Sequence, residues 1–339
     1  MPFTVECPIK KRPIMKKHMI TICILSALTF AGCEKEEPVR MPSGATEDYD
    51  PGLPQEEPDE PDDPTDAPDP ETIRLGTYNL WGSGPASGDA RYDQYKWEAR
   101  KEALARSIVD CRFGIFGFQE ATRTDLPDLV AAAGGHYEWW AVGRDAQDGG
   151  RGESVGIAWD SERFELSERR WFWLSATPDI PSYGWGEAYR RIAVAAVVQD
   201  KTTGKRFFMI STHGPLDETA RANAVRLLAD RERAYNPDGL PSILVGDMNA
   251  APDDAASNLL REHWEDARRV VPASAVYGPE GTFQSHNLQT NLSDETRRID
   301  YVYVRGQAAP SSYRVDDTVY GGIYPSDHCP VIVELKIGA

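Results

Sequence analysis

Strand after strand in this sequence carries, at one end, a residue suited to metal or phosphate chemistry. "TYNLW" supplies Asn79, "GFQEA" Gln119 and Glu120, "ISTHG" His213, "VGDMNA" Asp247 and Asn249, and "RRIDYVYV" Asp300. Nearest the C-terminus, "YPSDHCPVIVEL" sets Asp327 beside His328 just ahead of an apolar run. Burying an acid and a histidine side by side costs free energy unless each has a partner. Taken singly, every one of these residues has an ordinary reading: Asn and Asp make turns at strand ends, and a lone histidine is usually a satisfied structural residue. Their convergence within one domain favours a site.

The elements that must position them follow from the hydrophobic pattern. "TIRLGTYNLW", "FGIFGFQE", "SVGIAWD", "RIAVAAVVQD", "KRFFMISTH", "SILVGDMN" and "RIDYVYVR" read as strands. "DQYKWEARKEALARSIVD" carries Trp97, Leu104 and Ile108 at helical spacing. "DETARANAVRLLADRERAY" is the clearest helix, with Asp217 or Thr219 at its cap and Val225 and Leu228 on one face. Many strands and few long helices predict a single α/β domain of two stacked sheets with helices outside.

That domain does not begin at the first residue. "MKKHMITICILSALTFAGC", Met15 to Cys33, has a basic start, a short apolar run and small residues before a cysteine, the pattern of a secretory signal peptide. "FAGC" resembles a lipoprotein processing box, which makes Cys33 the lipidated first residue of the mature protein and Met15 a candidate initiator. Residues 34–72 hold nine prolines, fifteen acids and two bases, with almost nothing to bury, and read as a disordered acidic linker. The "KEE" after Cys33 resembles the acidic export signal of some surface lipoproteins. The expected organisation is therefore signal peptide over 1–33, linker over 34–72 and folded body over 73–339. The expected location is lipid-anchored in the cell envelope, at the outer membrane and exposed at the surface. Contact with the membrane is expected through the lipid alone, and no obligate protein partner is evident. Of the net charge of −17, residues 34–72 carry −13 and residues 1–33 carry +4, leaving −8 on the body. An acidic body offers no footprint for unspecific nucleic-acid binding. The body's two cysteines, Cys111 and Cys329, are either a disulfide or, as we expect, two buried thiols.

The set "TYNLW", "QE", "STH", "GDMN", "RIDYVYV" and "SDHCPV", in this order, resembles the endonuclease/exonuclease/phosphatase superfamily over nearly all of residues 73–339. The resemblance implies a four-layered α/β/β/α sandwich with its site at one edge of the two sheets, and hydrolysis of phosphoester bonds. Such hydrolysis needs a cation for the developing charge, an activated water and relief for the leaving oxygen. Glu120 would hold Mg²⁺ with help from Asn79, with Mn²⁺ as a substitute; a small hard cation with few carboxylates and several waters suits Mg²⁺. Asp247 would orient or deprotonate the attacking water, with Asn249 fixing its position or a phosphate oxygen. Asp300 would hold His328 in one tautomer and keep it cationic beside phosphate. Asp327 would face a second metal or the leaving group. His213 matches the position that contacts the scissile phosphate, with Glu153 as its orienting acid. Arg191 falls where a phosphate-binding arginine stands, unless neighbouring Arg190 is the match.

The sequence departs from the family at "GPLDE" after His213 and at "TFQSHN", where His286 lies either at the mouth of the site or in an ordinary loop. His136 and His263 fall outside the motifs and read as structural. "EWWAV" and "RRWFWLS" could form a stacking platform, but tryptophan and phenylalanine at strand spacing read better as core. Three substrate classes stay open: a phosphorylated small molecule, a phospholipid headgroup, or a nucleic acid. No lysine cluster marks a nuclease, so a phosphatase or phosphodiesterase of small substrates is favoured over an extracellular nuclease. A binding lipoprotein that had lost catalysis would lack a metal acid or break the Asp–His pair, and here both are intact.

Overall fold

A computed structural model describes residues 69–82, 90–134 and 137–338. The expected signal peptide, Cys33, His136 and most of the expected linker lie outside the described residues. Thirteen strands follow in chain order: β1 (Thr72–Asn79), β2 (Ile115–Ala121), β3 (Tyr137–Gly143), β4 (Ser154–Asp160), β5 (Phe164–Trp173), β6 (Ile192–Asp200), β7 (Arg206–His213), β8 (Ser242–Asp247), β9 (Glu265–Asp266), β10 (Val276–Tyr277), β11 (Asp300–Arg305), β12 (Ala308–Val315) and β13 (Val331–Ile337). The helices are α1 (Trp97–Cys111), α2 (Leu126–Ala132), α3 (Glu218–Tyr235), α4 (Ala255–Arg261) and α5 (Ala267–Val270). One sheet runs β10-β12-β13-β1-β2-β4-β3 and the other β5-β6-β7-β8-β11-β9.

Three apolar clusters stack these elements into layers. The inner faces of both sheets meet through Leu75, Ile115 and Ile157 on one side and Val194, Met209, Val245 and Val302 on the other. Outside the first sheet, Leu104, Ile108, Leu126 and Leu129 of α1 and α2 pack on Tyr78, Phe116 and Phe118. Outside the second, Val225, Leu228 and Leu260 of α3 and α4 pack on Phe208, Ile210 and Leu244. The result is the expected α/β/β/α sandwich, single and mixed in strand direction. Asp217 caps α3 by accepting from the Ala220 amide at 2.9 Å, a contact typically worth about 1 kcal/mol.

Strand periodicity carries the site residues to the inter-sheet edge, since alternate side chains face alternate sides. On β1, Ile73 and Leu75 face inward, so Asn79, four residues beyond Leu75, does too. On β7, Phe207 and Met209 set the inward row that ends on His213, and on β8, Ile243 and Val245 set the row that ends on Asp247. On β11 the inward Val302 and Val304 lead back to Asp300. Register then aligns the ends: His213 pairs with Asp247 across β7 and β8, and Asp300 with Asp247 across β11 and β8. Gly117 lets β2 approach the opposite sheet, because a Cβ there would sit 2.4 Å from Val245 Cγ2.

Several elements were not legible as such. The aromatic runs are edge strands: "EWWAV" lies in β3 and "RRWFW" in β5, with Phe172 and Trp173 buried and Trp171 only partly exposed. β12 and the short α2 and α4 also escape the sequence patterns. Cys111 and Cys329 are both buried, free thiols.

Candidate active site

Glu120 breaks the parity rule, and the break places it. By alternation it would face α1 with Phe116 and Phe118, but its φ of +63° is left-handed and the β2–β4 register shifts between Phe118 and Ala121. Such a conformation costs a non-glycine residue about 1–3 kcal/mol and tends to mark functional positions. It swings the carboxylate to the inter-sheet edge, where Oε1 accepts from Asn79 Nδ2 at 2.8 Å. Gln119, its neighbour, instead points between the sheets and bonds Thr77 at 3.1 Å and Ser211 at 3.4 Å.

Around Glu120 the remaining acids and imidazoles close in. Asn79 Nδ2 also donates to Asp247 Oδ2 at 3.1 Å, and its Oδ1 accepts from the Trp81 amide at 3.1 Å. Asn79 thus presents a donor to two carboxylates, so any help it gave a cation would run through Glu120. Asp247 Oδ1 is taken by the Asn249 amide at 2.9 Å, in an Asx-type turn that suits the left-handed φ of +49° at Asn249. Oδ2 of Asp247 is left facing His213 Nε2 at 3.5 Å and His328 Nε2 at 3.8 Å. Asn249 Nδ2 donates to the Gly214 carbonyl at 3.0 Å.

His328 Nδ1 lies 2.8 Å from Asp300 Oδ2, both side chains buried. The same oxygen accepts from Thr282 Oγ1 at 2.6 Å, and Ser326 Oγ accepts from the His328 amide at 3.2 Å while donating to the Asn79 carbonyl at 2.6 Å. Burial alone would lower the His328 pKa, but the charge and hydrogen bond of Asp300, with Asp327 and Asp247 behind them, raise it well above the ordinary imidazole value. His213 goes the other way: burial first, then Arg191 and Arg144, hold it well below that value. Burial followed by Asp300 pushes Asp247 up to about 6. Burial, with Glu120 adding to it, pushes Asp327 up to about 6 as well. Glu120 is also raised, again by burial first.

Glu120, His213, Asp247, Asn249, Asp327 and His328 line one cavity of about 450 Å³, with Arg144, Glu153, Tyr189, Arg191, Leu216 and Phe283 also on its walls, while Asn79 and Asp300 stand behind it. Arg191, not Arg190, reaches it; Arg190 pairs with Asp145 at 3.2 Å and stacks on Tyr183. Arg191 is 5% exposed, and its Nε and Nη1 have no hydrogen-bond partner among the described residues. Burial, and then Arg144, lower its pKa. Glu153 does not orient His213. It binds Arg144 Nη1 at 2.6 Å, and the acids beside His213 are Asp247 and Glu120, at 3.5 and 3.9 Å. The reason is position: Glu153 stands half-exposed at the mouth, just before β4, whereas His213 is buried at the end of β7. His286 is not on the cavity wall; it stacks between Trp81 and Tyr95, with centroids 4.1 and 4.2 Å away. His263 packs beside Trp264, away from the site. Sequence reasoning missed Arg144, Thr282 and Ser326. Only "GRD" after an aromatic strand and "GTF" before a loop hinted at the first two.

Among the described residues, two groups of side chains bring metal-ligating atoms within 4.8 Å of one another: Glu120 with His213 and Asp247, and Asp247 with Asp300 and His328. The second is consumed by the Asp300–His328 bond. The first opens on the cavity, and nearby Asp327 offers a buried Oδ1 with no hydrogen-bond partner. The carboxylate oxygens of Glu120, Asp247 and Asp327 beside an open cavity fit a small hard cation such as Mg²⁺ or Mn²⁺.

Fold and site together define a class: the four-layered sandwich hydrolases that act on phosphoester bonds. Residues 76–328 match the endonuclease/exonuclease/phosphatase family, and the chain belongs to it. Solved relatives include a family member from Bacteroides thetaiotaomicron, 28% identical with a TM-score of 0.73, matched over 79% of this chain and 95% of that one. A mannosyl-6-phosphatase from the same organism is also 28% identical, with a TM-score of 0.70, over 78% of this chain and 99% of that one. An uncharacterised protein of Acanthamoeba polyphaga mimivirus is 24% identical, covering 70% of this chain and 92% of its own.

Proposed function

We propose that this protein is a Mg²⁺-dependent phosphatase of small phosphorylated molecules. The observation that carries the reading is one cavity in which Glu120, Asp247 and Asp327 face the buried, uncommitted guanidinium of Arg191 and the Asp300-paired His328. Glu120 and Asp327 would hold the cation, which when bound supplies positive charge against the phosphoryl oxygens. Arg191 binds the phosphate through donors that no protein group occupies. His328, held cationic by Asp300, donates from Nε2 to a phosphoryl oxygen or to the leaving group. His213, kept neutral by burial and the two arginines, acts as an uncharged neighbour of the phosphate. Asp247 Oδ2 is the base or anchor for the attacking water, and Asn249 steadies the turn that aims it.

The cavity's size and the likeness to a mannosyl-6-phosphatase support a small substrate. A nucleic acid would call for free cations along a track, yet Arg144 and Arg190 at the mouth are paired with Glu153 and Asp145. We also infer, from residues 1–33 and 34–72 alone, a lipid-anchored protein outside the cytoplasm. Among the described residues, no helix is long and apolar enough to cross a membrane. The test is hydrolysis by the purified protein, with Mg²⁺ and with chelator, of sugar phosphates, p-nitrophenyl phosphate, its diester, sphingomyelin, DNA and RNA. Metal-dependent release of phosphate from monoesters supports the reading. Cleavage of nucleic acid or lipid with monoesters untouched would replace it.

A further inference from the structure

Glu187 belongs to none of the strand ends that build the site, yet it ties together two of the loops that frame it. It is 6% exposed. Oε1 accepts from the amides of Ala188 at 3.1 Å and Tyr189 at 3.4 Å. Oε2 accepts from the amides of Leu216 at 2.6 Å and Asp217 at 3.1 Å. The first pair lies on the loop from β5 to β6, which ends on Arg191. The second lies on the loop that follows His213 and leads into α3, with Asp217 as the helix cap. Each loop contributes a residue to the cavity wall, Tyr189 from one and Leu216 from the other, both about half exposed at 50% and 53%.

The chain builds a special turn to deliver this carboxylate. The Glu187 amide donates to the Gly184 carbonyl at 2.6 Å, and Trp185 and Gly186 both have left-handed φ, +29° and +92°. A Cβ on Gly184 would lie 2.2 Å from the Leu174 carbonyl oxygen, so the loop closes only with glycine there. An ionised carboxylate is acceptor-only, with lone pairs enough for four donors, and bonds to it are stronger than neutral ones. No basic side chain pairs with Glu187 among the described residues, so its acceptor capacity goes to the two loops. The ring of Tyr189 also sits against the guanidinium groups of Arg144 and Arg191, at 5.3 and 5.8 Å. Any shift of the Tyr189 backbone therefore moves the surface on which the phosphate-facing arginine rests.

We propose that Glu187 is a positioning residue for substrate recognition: it locks Tyr189 and Leu216 into a rigid rim that grips the organic group carried by the phosphate. The proposal rests on the phosphatase reading above. Glutamine has one acceptor oxygen, so Glu187→Gln would turn an amide NH₂ toward the backbone donors of one loop and release it. With p-nitrophenyl phosphate and Mg²⁺, we expect Glu187→Gln to raise KM about tenfold, the loss of one or two ordering bonds, with kcat held within about threefold. Glu187→Asp, which keeps the charge, should fall between. A merely structural role would lower the folded fraction, hence apparent kcat, and leave KM unchanged; that result overturns the proposal.

Hydrogen exchange on the wild-type protein gives a second readout that needs neither a variant nor turnover. The amides of Tyr189, Leu216 and Asp217 should be slow, and on adding inorganic phosphate with Mg²⁺ they should gain protection together. Fast or independent exchange at the two loops would also overturn it. If the wild type hydrolyses no phosphate ester, the phosphatase reading fails, while exchange still decides whether Glu187 couples the loops.

Discussion

Replacing Asp300 with asparagine separates the charge of the Asp–His pair from its shape. Asp300 is fully buried, and its Oδ2 serves both His328 Nδ1, at 2.8 Å, and Thr282 Oγ1, at 2.6 Å. Asparagine can keep an oxygen there, so both bonds survive in neutral form. What it loses is the charge that opposes burial at His328, the largest influence lowering that imidazole's pKa. A charge-assisted bond is worth about 1.5–3 kcal/mol against about 1 for a neutral one, so His328 should be neutral at pH 7 in the variant. The new amide NH₂ must occupy the place of Oδ1, which has no partner now; a buried unpaired donor costs about 1–3 kcal/mol. We therefore expect a folded protein, less stable by that amount, with kcat reduced about 10²–10⁴-fold, as for other positioned proton-transfer groups. The assay is turnover of p-nitrophenyl phosphate at saturating Mg²⁺, with urea unfolding and imidazole nitrogen shifts of His328 on the same sample. A variant with kcat within threefold of wild type and a neutral His328 would refute the need for a cation there. A variant whose His328 stays cationic would show that Asp300 is not what holds the proton.

Glu120→Gln should raise the Mg²⁺ concentration for half-maximal activity by roughly tenfold or more; an unchanged titration curve removes Glu120 from the cation site. Arg191→Met should abolish inhibition by inorganic phosphate yet raise stability by about 1–3 kcal/mol, because a guanidinium whose pKa is lowered by burial is one the fold disfavours; a lower thermal midpoint would contradict that. His328, raised above its ordinary value of about 6.5, stabilises the metal-free fold fully below that pH, and the contribution is lost as pH climbs through the raised value. The difference in urea midpoint between wild type and Asp300→Asn should accordingly shrink from pH 6 to pH 9, and a gap that grows would reverse the assignment.

Much of this site could be read from strand periodicity, and the exceptions have physical reasons. Asn79, His213, Asp247 and Asp300 each continue an inward apolar row, so type and parity together placed them. Glu120 does not; it reaches the site through a left-handed residue and a register shift, which no hydrophobic pattern records. Arg191 and Arg190 are adjacent and chemically identical in sequence. Strand entry at Ile192 decides between them, since it turns one into the cavity and the other toward Tyr183. Glu153 does not reach His213 because Arg144, across the β3–β4 hairpin, holds it at 2.6 Å, a competition no local pattern records. Thr282, Ser326 and Glu187 act through long-range bonds to backbone or to buried acids, and a serine, a threonine or a glutamate in a loop carries no local sign of that. β5 hid behind "SERRWFW", where charges on the outer face obscure the alternation.

The pattern of pKa shifts separates this cluster from a structural ion-pair network. Where Arg298 grips Asp266 with bonds of 2.9 and 3.2 Å, the guanidinium pKa is raised in spite of burial, through Tyr313 and then Asp266. At the cavity both signs are disfavoured together: Glu120, Asp247 and Asp327 are raised, while Arg191 and His213 are lowered. His213 stands 3.5 Å from Asp247 and 3.9 Å from Glu120, while Arg191 leaves Nε and Nη1 without a hydrogen-bond partner among the described residues. A fold that keeps such charges apart forgoes stability that pairing would supply. On the proposed function, that cost would be recovered when ligands of both signs enter, a cation against the acids and a phosphate against Arg191 and His328. His328 is the one group in the cluster whose charge the protein itself secures, through Asp300. The proton-donor role proposed for His328 fits a charge that is in place before the ligands arrive.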